Sequence, residues 1–155
     1  EAYRILKELG QDTYVKIPTN KEGLKAIRIL AAAGINVTAT AIYTQMQAFL
    51  EAKAGALYVA PYINRIDNLG SDGVRTAKEI HDMFRNYGFK TEVLAASFKN
   101  SRQVISLCEH GIGATTVSPD VLDLLIKNDS VTAALDVFKN DFEKLCGKGK
   151  TMLDC

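Results

Sequence analysis

Apolar and polar positions along the chain alternate between two periods, one near two residues and one near 3.6. "EAYRILKELG" opens with Tyr3, Leu6 and Leu9 at helical spacing and Gly10 as a stop. "TYVKI" (13–17) has the strand period. "NKEGLKAIRILAAAG" (20–34) sets Leu24, Ile27 and Leu30 on one helical face, with Asn20 as cap and Gly34 as stop. The pattern predicts a strand at 35–41, a helix at 43–55 and a strand at 56–62. The polar stretch "NRIDNLGSDG" reads as a loop, followed by a helix over about 74–87. A strand at 91–98, a helix at 100–111, a strand at 113–118 and helices over about 119–127 and 130–146 complete the chain.

The order is βα repeated five times with an extra C-terminal helix, which indicates a parallel sheet of right-handed βαβ units. A dinucleotide site needs a glycine-rich turn after its first strand, and "PTNKEG" holds a single glycine, placed inside the helix. A (β/α) barrel instead carries its chemistry at the C-terminal ends of several strands.

Side chains alternate across a strand, so one parity faces the interior and the other the helices. In the first strand Val15 and Ile17 share the helix-facing parity, which turns Lys16 inward. Thr38 and Thr40 turn inward from the second strand, and Tyr58, Ala60 and Tyr62 from the third. Reading the fourth strand the same way sends Val93, Ala95 and Ser97 inward against Leu94, Ala96 and Phe98. Arg65 follows just beyond the third strand and Lys99 just beyond the fourth.

Composition narrows the setting. With 155 residues, 47% of them hydrophobic, the chain can bury one real core. A net charge of +1 offers no electrostatic argument for nucleic acid or a membrane surface. Runs such as "ILAAAGI" are far shorter than the roughly 20 residues that span a bilayer. Cys108, Cys146 and Cys155 are widely spaced and without histidine partners, so free thiols in a reducing cytoplasm are expected, with no metal and no cofactor.

The inward residues form a coherent chemical set. A lysine desolvated among apolar groups and near other cations has a lowered pKa, and the neutral amine adds to carbonyls as a Schiff-base nucleophile. Tyr62 and Thr40 can move a proton or hold a water. Arg65, Lys99 and the Ser97 hydroxyl offer a phosphate a planar fork, a point charge and a neutral donor. Together they suggest an aldolase. Alone, each has an ordinary alternative: Lys16 as an edge residue, Arg65 as the loop partner of Asp67, Tyr62 as a core aromatic.

At "VKIP", "ATA" with Thr40, "VAPYINRID" and "LAASFK" the chain resembles the fructose-6-phosphate aldolase branch of the transaldolases. The resemblance runs over essentially the whole chain. It implies the C-terminal five βα units of a (β/α)8 TIM barrel plus an extra C-terminal helix, forming a single domain over 1–155. It implies that Lys16, Tyr62 and Thr40 are catalytic, and that Arg65, Ser97, Lys99 and Ala60 bind a sugar-phosphate substrate. The reaction it implies is reversible cleavage of fructose 6-phosphate to dihydroxyacetone and glyceraldehyde 3-phosphate. A homo-oligomer built partly by the final helix is implied too. Tyrosine at position 62 favours release of dihydroxyacetone, whereas phenylalanine there typifies its transfer to another sugar.

A complete barrel needs about 200 residues or more, and the resemblance begins at the family's fourth strand. The first three strands are therefore expected to be absent, leaving two strand edges and one sheet face uncovered. This opens a rival of another class, a folded but inactive fragment serving in assembly. Deoxyribose-phosphate aldolase shares the Schiff-base lysine, but its lysine motif fits "VKIPTNKEG" poorly.

Overall fold

The computed structural model describes residues 1–155. It consists of α1 (Ala2–Leu9), β1 (Val15–Pro18), α2 (Lys21–Ala32), β2 (Val37–Ile42), α3 (Gln45–Ala54), β3 (Tyr58–Pro61) and α4 (Ile63–Asn68). These are followed by α5 (Gly73–Asn86), β4 (Glu92–Ala95), α6 (Ser101–His110), β5 (Ala114–Thr115), α7 (Pro119–Ile126) and α8 (Asp129–Cys146). All strand pairs are parallel and the sheet order is β1-β2-β3-β4-β5. The chain is thus an α/β fold of successive βα units.

Local chemistry sets the helix ends. The Asn20 side chain accepts from Gly23 N–H, and Thr44 with Gln47 forms a capping box on α3. Gly55 and Gly111 end α3 and α6 in the left-handed conformation that glycine adopts without a Cβ penalty. Gly23 also lets α2 approach β1: a Cβ there would lie 2.1 Å from the Pro18 carbonyl oxygen.

The core lies on one side of the sheet. Val37, Ala39, Val59, Val93 and Ala95 pack with Ile27, Leu30, Ile63, Ile80 and Leu107 of the helices. The opposite parity stays outside that cluster, with Lys16 and Glu92 exposed and Tyr58 and Leu94 partly so. The five strands do not close on themselves, so β1 and β5 are the sheet edges, and on the face opposite the core Lys16 and Glu92 are exposed while Thr38, Thr40 and Ala60 are buried.

Three expectations are corrected. First, residues 63–68 are not loop but helix α4, because Ile63 and Ile66, three apart, are both buried beneath a polar surface. Second, the parity of β4 is reversed. Val59 pairs with Val93 and Tyr58 with Glu92, so Val93 and Ala95 face the helices while Glu92 and Leu94 share the Lys16 face. "VLAAS" is apolar in both parities, as parallel strands often are, and alternation alone could not choose. Third, Cys146 and Cys155 are joined in a disulfide, leaving exposed Cys108 as the free thiol. Gly147 and Gly149, at φ 99° and 75°, turn the chain back after α8 and bring Cys155 alongside. No helix is long and apolar enough to cross a membrane.

Candidate active site

Lys16, Tyr62, Arg65, Ser97 and Lys99 line one cleft of about 610 Å³ at the C-terminal ends of the strands. The register explains how the strands deliver them. Lys16 pairs with Thr38, Thr38 with Tyr58 and Thr40 with Ala60, so these residues share a face. Tyr62, just past β3, forms a single bridge to Ala96. Its hydroxyl lies 3.0 Å from Thr40 Oγ1, and its ring packs edge-on against Tyr43. Thr40 does not line the cleft and meets it through this contact with Tyr62. Ala60 is fully buried and does not line the cleft.

Ser97 reaches the cleft by a different route from the one alternation suggested. It lies beyond the end of β4 with φ of 64°, a left-handed conformation that redirects the chain after Ala96. Ala41, at φ 58°, does the same at the β2 register shift that follows Thr40. These are the two non-glycine residues with positive φ, and both sit at strand ends around the site. Residues held in this region are costly and cluster where geometry serves function.

Helix α4 carries Arg65 into the same place. The Ile63 and Asn64 N–H groups donate to the Ala96 and Ser97 carbonyls, both at 2.9 Å, which seats the helix on the end of β4. Arg65 lays its guanidinium 4.4 Å from the centroid of the Tyr62 ring, a cation–π contact. Asp67 does not pair with Arg65; its two oxygens accept from Gly73 N–H and Gln103 Nε2.

Lys16, Arg65 and Lys99 take part in none of the five ion pairs of the chain. Asp120 is held below its usual range chiefly by the Ser118 hydroxyl, with Lys99 the weakest of its causes. One cleft with three unpaired cations suits an anion. Lys16 itself is exposed. The apolar enclosure expected for it is not formed by these five strands, because the face it projects from is open. No group of three or more His, Cys, Asp or Glu side chains is arranged to hold a metal ion.

Asn64, Thr116 and Ser118 also line the cleft and were missed in the sequence. Asn64 was hidden by reading α4 as loop. Thr116 and Ser118 follow a strand of only two residues, too short to show a period.

Residues 1–152 match the model of the Transaldolase/Fructose-6-phosphate aldolase family. The chain is 40% identical over 145 residues to a probable transaldolase of Hydrogenobaculum sp., covering 94% of this chain and 67% of that protein. It is 39% identical over 141 residues to a probable transaldolase of Kosmotoga olearia, covering 91% and 65%. A probable transaldolase of Thermoplasma volcanium is 39% identical over 153 residues, covering 99% and 69%. The chain thus spans about two thirds of the length of these relatives. On the family match and on these identities, the chain belongs to the transaldolase/fructose-6-phosphate aldolase family of enzymes.

Proposed function

We propose that the protein is a class I aldolase that cleaves fructose 6-phosphate to dihydroxyacetone and glyceraldehyde 3-phosphate through a Schiff base on Lys16. The observation that carries this reading is the meeting of Lys16, the Tyr62–Thr40 hydroxyl pair and two further unpaired cations around one cleft. The Lys16 nitrogen adds to the ketose C2 carbonyl and water leaves, giving an iminium. The C4 hydroxyl gives its proton to a water held at the Tyr62–Thr40 hydroxyl pair, the C3–C4 bond breaks, and that bond's electron pair passes into the iminium to form an enamine. Glyceraldehyde 3-phosphate departs. Proton transfer through Tyr62 returns a hydrogen to C3, and water then hydrolyses the iminium, releasing dihydroxyacetone and the free amine. Arg65, Lys99 and Ser97 hold the phosphate.

In this reading the chain contributes five βα units of a (β/α)8 barrel. Strands from outside these 155 residues cover the open face and take Lys16 out of water. The exposed apolar side chains of α8, among them Val131, Leu135 and Phe138, are consistent with association into a homo-oligomer.

The names of the relatives favour a second reading, transfer of the dihydroxyacetone unit to another sugar phosphate. Tyr62 supports cleavage, since a phenol can assist enamine protonation and a phenyl ring cannot. Tyr62→Phe is expected to cut free dihydroxyacetone formation by roughly 10²-fold or more and to raise transfer to erythrose 4-phosphate. Product analysis that finds the two activities in an unchanged ratio removes Tyr62 from this role.

A further inference from the structure

Gln103, on the first turn of α6, is one of the few buried polar side chains in the molecule. Its Oε1 accepts from the Lys99 backbone N–H at 2.9 Å, and its Nε2 donates to Asp67 Oδ2 at 2.6 Å. A longer contact of 3.4 Å reaches Asn64 Oδ1. The two partners fix the amide's orientation, since an N–H must meet the oxygen and a carboxylate must meet the nitrogen. Asp67 Oδ1 in turn accepts from Gly73 N–H at 2.7 Å, at the start of α5. A Cβ on Gly73 would lie 2.2 Å from the Ile63 carbonyl oxygen, so α5 and α4 meet here with no space between them.

These contacts converge on the two walls of the cleft. Helix α4 has only six residues, too few to hold a direction alone. Its first amides are seated on Ala96 and Ser97, and its far end is held by Asp67. Lys99 sits on the other wall and its backbone is held by the same glutamine. One buried amide therefore fixes the separation between the Arg65 and Lys99 backbones.

We infer that Gln103 and Asp67 are positioning residues that set the Arg65–Lys99 spacing and so tune the cleft for a phosphate group. The inference rests on the phosphate-clamp reading proposed above. Neither residue lines the cleft itself, so both act through the cations they place. With aspartate at 67, position 103 needs an acceptor and a donor on one fork, which glutamine has and leucine of similar bulk lacks.

The test compares wild type, Gln103→Leu, Gln103→Glu, Asp67→Asn and the exchanged pair Gln103→Glu/Asp67→Asn in the intact protein. In the exchanged pair the new amide at position 67 accepts from Gly73 N–H and donates to the new carboxylate at position 103. The other oxygen of that carboxylate accepts from Lys99 N–H, so the three close links are rebuilt without a change in net charge, and the long contact to Asn64 is kept only if the Asn64 amide turns its nitrogen inward. Titration with inorganic phosphate reads the cleft without turnover. Aldol addition of dihydroxyacetone to glyceraldehyde 3-phosphate and to glyceraldehyde reads it during turnover. Each single variant is expected to bind phosphate about tenfold or more weakly, the size of one buried polar group losing its partner. The KM for the phosphorylated aldehyde should rise in parallel while that for glyceraldehyde moves less than about twofold, and the exchanged pair should recover most of the loss. Should Gln103→Leu not fold, Gln103→Glu and the exchanged pair decide alone. Phosphate affinity unchanged in the single variants, no recovery in the exchanged pair, or a wild type that binds no phosphate overturns the inference. Absence of addition to either aldehyde in a wild type that binds phosphate counts against the aldolase reading alone.

Discussion

Glu51 has no exposed surface, and neither of its carboxylate oxygens finds a hydrogen-bond partner. Burial raises its pKa above the ordinary glutamate value. The Thr19 hydroxyl gives its one proton to the Thr40 carbonyl at 2.9 Å and leaves the Glu51 carboxylate without a donor. The folded state consequently holds the Glu51 proton more tightly than the unfolded chain does. Between the unfolded and the folded pKa the native protein binds more protons, and stability falls as pH rises through that window. Glu51→Gln is expected to flatten the decline and raise stability at neutral pH, read as thermal midpoint against pH. A variant that declines like wild type would show that another group is responsible. Single residues were the most legible feature of the sequence. Alternation around Val15 and Ile17 is enough to set Lys16 on the face opposite the core, and the register places Thr38 and Thr40 on that same face. Ser97 was found for a reason that does not hold, since a left-handed residue past the strand end brings it to the cleft.

At the scale of elements, the site depends on how closely helices approach strand ends. The sharpest case is Gly23, whose added Cβ would meet the Pro18 carbonyl oxygen. Backbone cannot move aside as a flexible side chain can, so α2 must shift from the strand that carries Lys16. Gly23→Ala should cost about 1–3 kcal/mol, well beyond the helix propensity that alanine gains, and chemical denaturation measures it. A neutral effect would mean that α2 tolerates displacement. Most of the elements follow from hydrophobic period and capping residues, which are local signals. Helix α4 escaped because its six residues hold only two apolar positions, and its remaining anchors are carbonyls more than thirty residues away in sequence. The parity of β4 escaped for a related reason, since register is a property of the neighbouring strand.

At the scale of the whole molecule, one sheet face packs a core and the other bears the candidate site. The open face exposes Lys16, whereas the proposed nucleophile needs an enclosed amine. Topology and strand order were legible because each βα unit repeats the same pattern. The Cys146–Cys155 bond was not, because it depends on two left-handed glycines that reverse the chain end. The central claim is that Lys16 condenses with a ketose, and borohydride reduction tests it most directly. The intact protein is incubated with dihydroxyacetone or fructose 6-phosphate, reduced, digested and mapped by mass spectrometry. A stable dihydroxyacetone adduct on Lys16, absent from Lys16→Met, is the expected product. A folded protein that gives no adduct, or gives it on another lysine, means that Lys16 is not the Schiff-base nucleophile.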